Sequence, residues 1–178
     1  MRRALTLGIL GLAGVMALGS TSSADDDKPQ RLDPQESAFL RERAQDDVMM
    51  WKLGEYAAAH AATDRVKHLG QAVVEERRTD LRDIQKIAQD HNADIKIPDS
   101  MNVQQKTRFD ELTRKGGENF DRDYTKDLVM SYETAIPQLK RERDQAGHVD
   151  VREYAGRNLK MFEDHLKESR DAQKEVWK

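Results

Sequence analysis

The sequence predicts an all-α fold: an antiparallel four-helix bundle with a short helix in its middle crossover, preceded by a signal peptide. Three observations predict it. Apolar residues recur at steps of three, four and seven along four long stretches, the period of a one-sided helix. Only four prolines and ten glycines punctuate 178 residues, which argues for a few long elements. Charged residues make up 35% of the chain and hydrophobic ones 37%, as in helices with one apolar stripe and one solvated face.

The N-terminal stretch RRALTLGILGLAGVMALGSTSSA has a basic head, Arg2 and Arg3, an uncharged apolar run over residues 4–19, and a tail of small residues. This is the order of a secretory signal. Cleavage after Ala24 places Ser22 and Ala24 at the small-residue positions, and Gly19 is the second choice. Sixteen apolar residues, several of them Gly or Ala, fall short of the roughly 20 that a membrane-spanning helix needs. Residues 25–33, which open on DDDK and contain Pro29, read as a flexible polar lead-in, and residues 34–178 as the bundle.

Asp33, Pro34 and Glu36 form a capping-box start with proline at the first helical position. Leu40, Ala44, Val48, Trp51 and Ala58 continue it as one stripe, so the first helix is expected over residues 34–62. Thr63 or Asp64 starts the second, residues 64–91, with the stripe Val66, Leu69, Val73, Leu81, Ile84 and Ala88. Asn92 and Pro98 break it. A short helix over residues 103–115 ends at Gly116 and Gly117. The third long helix, residues 119–146, carries Phe120, Tyr124, Leu128, Tyr132, Ala135 and Leu139, with a kink expected about one turn before Pro137. The fourth, residues 149–176, carries Val151, Tyr154, Leu159, Phe162, Leu166 and Ala172. Four stripes of similar length bury one another only in a bundle. Pairs such as Glu36 with Arg41 and Asp83 with Lys86 read as a solvated face.

Several chemistries are excluded. The chain has no cysteine, hence no disulfide, thiolate metal site, cysteine nucleophile or cysteine-linked lipid. Its formal charge is −3, and removing Arg2 and Arg3 leaves 28 basic against 33 acidic residues, or −5. That balance argues against a nucleic-acid partner. Dimetal bundles use Glu-x-x-His on two helices, but the residues three before His60, His68, His91, His148 and His165 are Ala57, Arg65, Ala88, Gln145 and Phe162. There is no phosphate-binding glycine loop and no Gly-x-Ser-x-Gly turn.

His60, His91 and His148 fall near helix ends and His68 on an exposed face, all bland positions. His165 stands beside Leu166 on the fourth stripe among Glu163, Asp164 and Glu168. It is the candidate metal ligand, with Glu76 as a second, although a hydrogen-bonded boundary histidine is the commoner arrangement. Met49, Met50 and Met130 read as core filler before they read as a soft copper(I) site. Arg77 is the misfit, four residues after Val73 and four before Leu81 on the second stripe. A buried arginine needs partners. Tyr132 and His165 are the expected neighbours in a core polar layer, with Glu76 or Glu133 to balance the charge.

The segments FLRERAQDD from Phe39, KLGEYA from Lys52, the Ile97-Pro98 pair, NFDRDY with Phe120, Asp121 and Tyr124, and NLKMFEDHLK with Leu159, His165 and Leu166 occur in one order. In these the chain resembles the bacterial exported ferritin-like family catalogued as domain of unknown function 4142, over about residues 36–175. The resemblance implies a ferritin-like bundle exported to the envelope, and no established activity. It also implies a central polar cluster: an acid on the first helix, an Asp-His pair on the second, and a histidine on each of the last two. The corresponding positions here are Met50, then Glu76 and Arg77, then Tyr132, then His165.

The expectation is therefore a non-enzymatic protein of the bacterial periplasm or envelope, acting through its helical surface on an unknown protein partner or on itself. It carries no cofactor, and no membrane association follows signal cleavage. The alternative is a ferritin-like metal-binding or redox protein with a degenerate transition-metal site around His165.

Overall fold

Asp33 starts the first helix by accepting hydrogen bonds from the backbone N–H groups of Gln35 and Glu36 (2.7 and 2.8 Å), while Glu36 Oε2 accepts from the N–H of Asp33 (2.9 Å). In this computed structural model, which describes residues 31–178, five helices follow: α1 (Pro34–His60), α2 (Asp64–Asp90), α3 (Val103–Thr113), α4 (Gly117–Gln145) and α5 (Val149–Val176). No strand occurs among the described residues. The expected signal peptide, and all of the lead-in before residue 31, lie outside them. None of the described helices is long and apolar enough to cross a membrane.

The helices form a bundle of two hairpins. α1 packs along α2 and α4 along α5; α2 then meets α5 and α1 meets α4. The short α3 lies in the crossover between the hairpins, held by Tyr56, whose hydroxyl donates to the Thr113 carbonyl (2.9 Å), and by reciprocal hydrogen bonds between Gln45 and Gln105. The core includes Leu40, Leu53, Val73, Ile84, Leu128 and Leu139.

Local chemistry sets each boundary. α1 stops at His60, two residues before the expected end, because Ala61 turns extended (ψ 148°). Thr63, rather than Asp64, caps α2, its Oγ1 accepting from the Val66 N–H (3.3 Å). Asp121 of α4 reaches across to this turn and accepts from the N–H groups of Ala62 and Thr63 and from the Thr63 hydroxyl (2.8–2.9 Å). The α1–α2 hairpin is tight at Gly54 and Gly70: a Cβ on Gly70 would sit 2.7 Å from the Ala58 nitrogen and 2.8 Å from the Gly54 oxygen. α2 ends where Asn92 takes a left-handed φ of 48° and the Ala93 N–H closes back on the Ala88 carbonyl (2.8 Å).

Helix α4 starts two residues earlier than expected, at Gly117, and runs unbroken through Pro137 to Gln145. Pro137 is exposed, so water can satisfy the carbonyl that the ring leaves without a donor.

Two expected surface pairs do not form. Glu36 is 2% exposed and bonds the N–H groups of Asp33 and His148 (2.9 and 2.7 Å), not Arg41. Asp83 lies 3.7 Å from Arg157 of α5, and Lys86 pairs with Asp90 one turn on. Residues 36 and 41 are five apart, off the three-or-four spacing that brings helical side chains together.

Candidate functional site: a buried charged layer

Halfway along the bundle the apolar core is interrupted by charge. α1 contributes Arg43 and Asp47, one turn apart on the stripe between Leu40 and Met50. α2 contributes Glu76, Arg77 and Asp80. Arg43 and Asp47 are 2% and 0% exposed, Arg77 and Asp80 0% and 1%.

The ion pairs interlock. Asp47 Oδ1 accepts from Arg43 Nη2 at 2.8 Å and from Arg77 Nη1 at 3.0 Å. Arg43 Nη2 also reaches Asp80 Oδ2 at 3.3 Å, and Arg77 Nη2 lies 3.3 Å from Glu76 Oε1. Phe162 of α5 presents its ring to both guanidiniums, 4.9 Å from Arg43 and 4.3 Å from Arg77, and Tyr132 of α4 lies 5.1 Å from Arg77.

Glu76 Oε2 carries the second half of the layer. The Tyr132 hydroxyl donates to it at 2.8 Å, and His165 Nδ1 hydrogen-bonds to it directly. The structure thus places Glu76, Arg77, Tyr132 and His165 in one group. Glu133 is not in it: it is exposed and pairs with Arg170 at 2.7 Å, because it points a hundred degrees round α4 from Tyr132 at the helical advance of about 100° per residue. Met50, the first-helix position implied by the resemblance, faces a surface cleft with Met49, Met130, Asp46, Arg108 and Asp127. The share of α1 in the layer comes from Arg43 and Asp47, two turns and one turn earlier.

The electrostatics explain why such burial is tolerated. Burial alone drives each guanidinium toward neutrality, but Asp47 and its neighbours outweigh this for Arg43, as Glu76 and its neighbours do for Arg77, and both stay charged. Burial pushes the Asp47 carboxyl well above the usual carboxylate range, and Asp80 beside it adds to the shift against the two arginines. Glu76 is held below its ordinary value although burial opposes this, because Arg77, His165 and Tyr132 all favour its charge. The hydrogen bond to Glu76 raises the His165 imidazole despite desolvation. Two guanidiniums face three carboxylates, so one proton more neutralises the layer. It has two seats: the Asp47 carboxyl, which burial pushes toward its neutral form, and the His165 ring, which its hydrogen bond to Glu76 holds toward the charged form.

The donor set does not suit a central metal ion. Both Glu76 oxygens are engaged, one by Arg77 and the other by Tyr132 and His165. A cation there would also face two fixed positive charges.

Arg43, Asp47 and Asp80 were not among the residues singled out from sequence, although the signal was present. Arg43 falls three after Leu40 and Asp80 four before Ile84, both on the apolar stripes where Arg77 stood out.

The remaining histidines divide. His60 is exposed and stacks on Tyr56 with ring centroids 4.3 Å apart, and His68 is exposed. His91 and His148 are buried and meet at the end of the bundle.

A family model described as a domain of unknown function (DUF4142) matches residues 21–172. None of the curated proteins matches the chain, and no solved structure does.

Proposed function

We propose, from the premise that this chain belongs to the domain of unknown function 4142 family, that it is an exported, ferritin-like bundle of the bacterial envelope. In this reading it is non-enzymatic and acts through its helical surface on a protein partner or on a second copy of itself. One observation carries the reading: the centre of the bundle, where a ferritin-like protein gathers metal-binding carboxylates and histidines, is filled by the Arg43 and Arg77 guanidiniums, neutralised by Asp47, Glu76 and Asp80. The layer then fixes the register of the helices instead of supplying chemistry.

Export is supported by the order of basic head, apolar run and small-residue tail over residues 1–24. N-terminal sequencing of the chain recovered from a fractionated bacterium is expected to begin at Asp25; an intact Met1 in the cytoplasmic fraction would overturn export. The central layer is tested by elemental analysis of purified protein beside His165→Ala. Equal metal content supports the reading. A stoichiometric transition metal that disappears in His165→Ala, and persists when His91 is replaced, would establish the metal-binding alternative.

A further inference from the structure

We infer that His91, His148 and Asp150 form a binding site for a divalent transition cation of the zinc type, at the end of the bundle where α2 stops and α5 begins. The three residues come from two distant segments that the fold brings together. His91 closes the C-terminus of α2, and His148 is the N-cap of α5 with Asp150 in its first turn. Their ligand-type atoms all lie within 4.8 Å of one another. His91 Nε2 is 2.6 Å and His148 Nδ1 3.9 Å from the same oxygen, Asp150 Oδ2, and the two rings meet with centroids 4.0 Å apart. Donors around a tetrahedral zinc stand roughly 3.4 Å apart, given bonds of about 2.0–2.1 Å. The site therefore needs small side-chain adjustments and no backbone rearrangement.

Two imidazole nitrogens and one carboxylate oxygen suit zinc, nickel or copper(II) and do not suit magnesium or calcium, which take oxygen ligands. The histidines are 8% and 6% exposed, so their rings are held by packing. The His148 backbone is fixed as well, its N–H donating to Glu36 Oε1 of α1 at 2.7 Å. Asp150 is partly exposed and lines a surface cleft in which Lys86 pairs with Asp90 and Arg157 with Asp83 and Glu153, so the fourth position falls to water. The carbonyl end of α2 favours a cation there and the N–H end of α5 opposes it, so the preference comes from the three side chains and not from the helix ends. Binding through His148 Nδ1 gives up the hydrogen bond that this atom accepts from the Asp150 N–H at 3.1 Å.

This site is separate from the central layer and does not depend on its reading. The test is calorimetric titration of tag-free, chelator-stripped full chain with Zn²⁺ alone at neutral pH. One equivalent is expected to bind, and His91→Gln and His148→Gln are each expected to weaken binding at least tenfold. Asp150→Asn keeps the size and an acceptor oxygen at a partly exposed position, so it tests the site without depending on the buried rings. It too is expected to weaken Zn²⁺ at least tenfold and to change the visible spectrum of bound Co²⁺. The inference is overturned by absence of Zn²⁺ binding, by affinity unchanged in Asp150→Asn, or by binding that survives the His91 and His148 variants and is lost in His165→Gln.

Discussion

Arg77 of α2 and Asp47 of α1 form an ion pair at 3.0 Å with neither side chain exposed to solvent. The pair joins the two helices of the first hairpin, and the Phe162 ring covers the arginine from the second. Because desolvation has already been paid by both charges, the consequence of removing one partner differs from that of removing charge evenly.

Arg77→Met leaves Asp47 and Glu76 short of a counter-charge in the core, and is expected to destabilise the fold by about 3–5 kcal/mol. Asp47→Asn keeps an acceptor for both arginines and replaces a carboxyl that burial already pushes toward its neutral form. It is expected to cost less than about 1.5 kcal/mol. Urea unfolding of the two variants checks this; equal losses would contradict the upward shift of the Asp47 carboxyl.

The contact between His165 and Glu76 predicts a pH window. The imidazole is raised above 6.5 in the folded chain, so its contribution is complete below pH 6.5 and fades as pH rises through the folded value. Glu76 is lowered from 4.5, so its contribution is complete above pH 4.5 and is lost as pH falls through its folded value. The pair stabilises most between pH 4.5 and 6.5. Unfolding free energies of the native chain and His165→Gln, measured across that range and above it, should differ most inside the window and converge toward alkaline pH.

Gly70 allows the backbones of α1 and α2 to touch. Gly70→Ala places a methyl carbon 2.7 Å from the Ala58 nitrogen and 2.8 Å from the Gly54 oxygen, backbone atoms that move only if the helices part. Overpacking of this kind is expected to cost about 1–3 kcal/mol or more, against the small gain that alanine brings to an exposed helix position. A thermal melt that rises in Gly70→Ala would show that the hairpin relaxes freely.

Asp121 holds the α1–α2 turn onto α4 through three hydrogen bonds to one carboxylate. Asp121→Ala is expected to destabilise by about 1.5–3 kcal/mol, since bonds to a charged group are among the stronger ones. Hydrogen exchange at Ala62 and Thr63 should accelerate more than exchange in the middle of α5. Uniform acceleration would mean that the carboxylate supports the whole fold and not this turn.

Local sequence is enough to place the helices. Asp33, Pro34 and Glu36 start α1 through bonds made within one turn, and the 3.6-residue period assigns each side chain a face without reference to any other helix. The same period marks Arg77 as a charge on an apolar face. It marks Arg43, Asp47 and Asp80 equally, but their meaning lies in pairing: whether Asp47 meets Arg77 depends on how α1 slides against α2, which Gly54, Gly70 and the turn at Thr63 decide. His91 shows the limit more sharply. Near the end of a helix it has no distinguishing neighbour in the chain, and His148 and Asp150 reach it only because the crossover and α4 return the chain to the same end of the bundle. Spacing along one helix is local geometry and is written in the order of residues. Which charges face each other across helices is settled by antiparallel register and bundle closure, and these arise only when all the stripes are buried together.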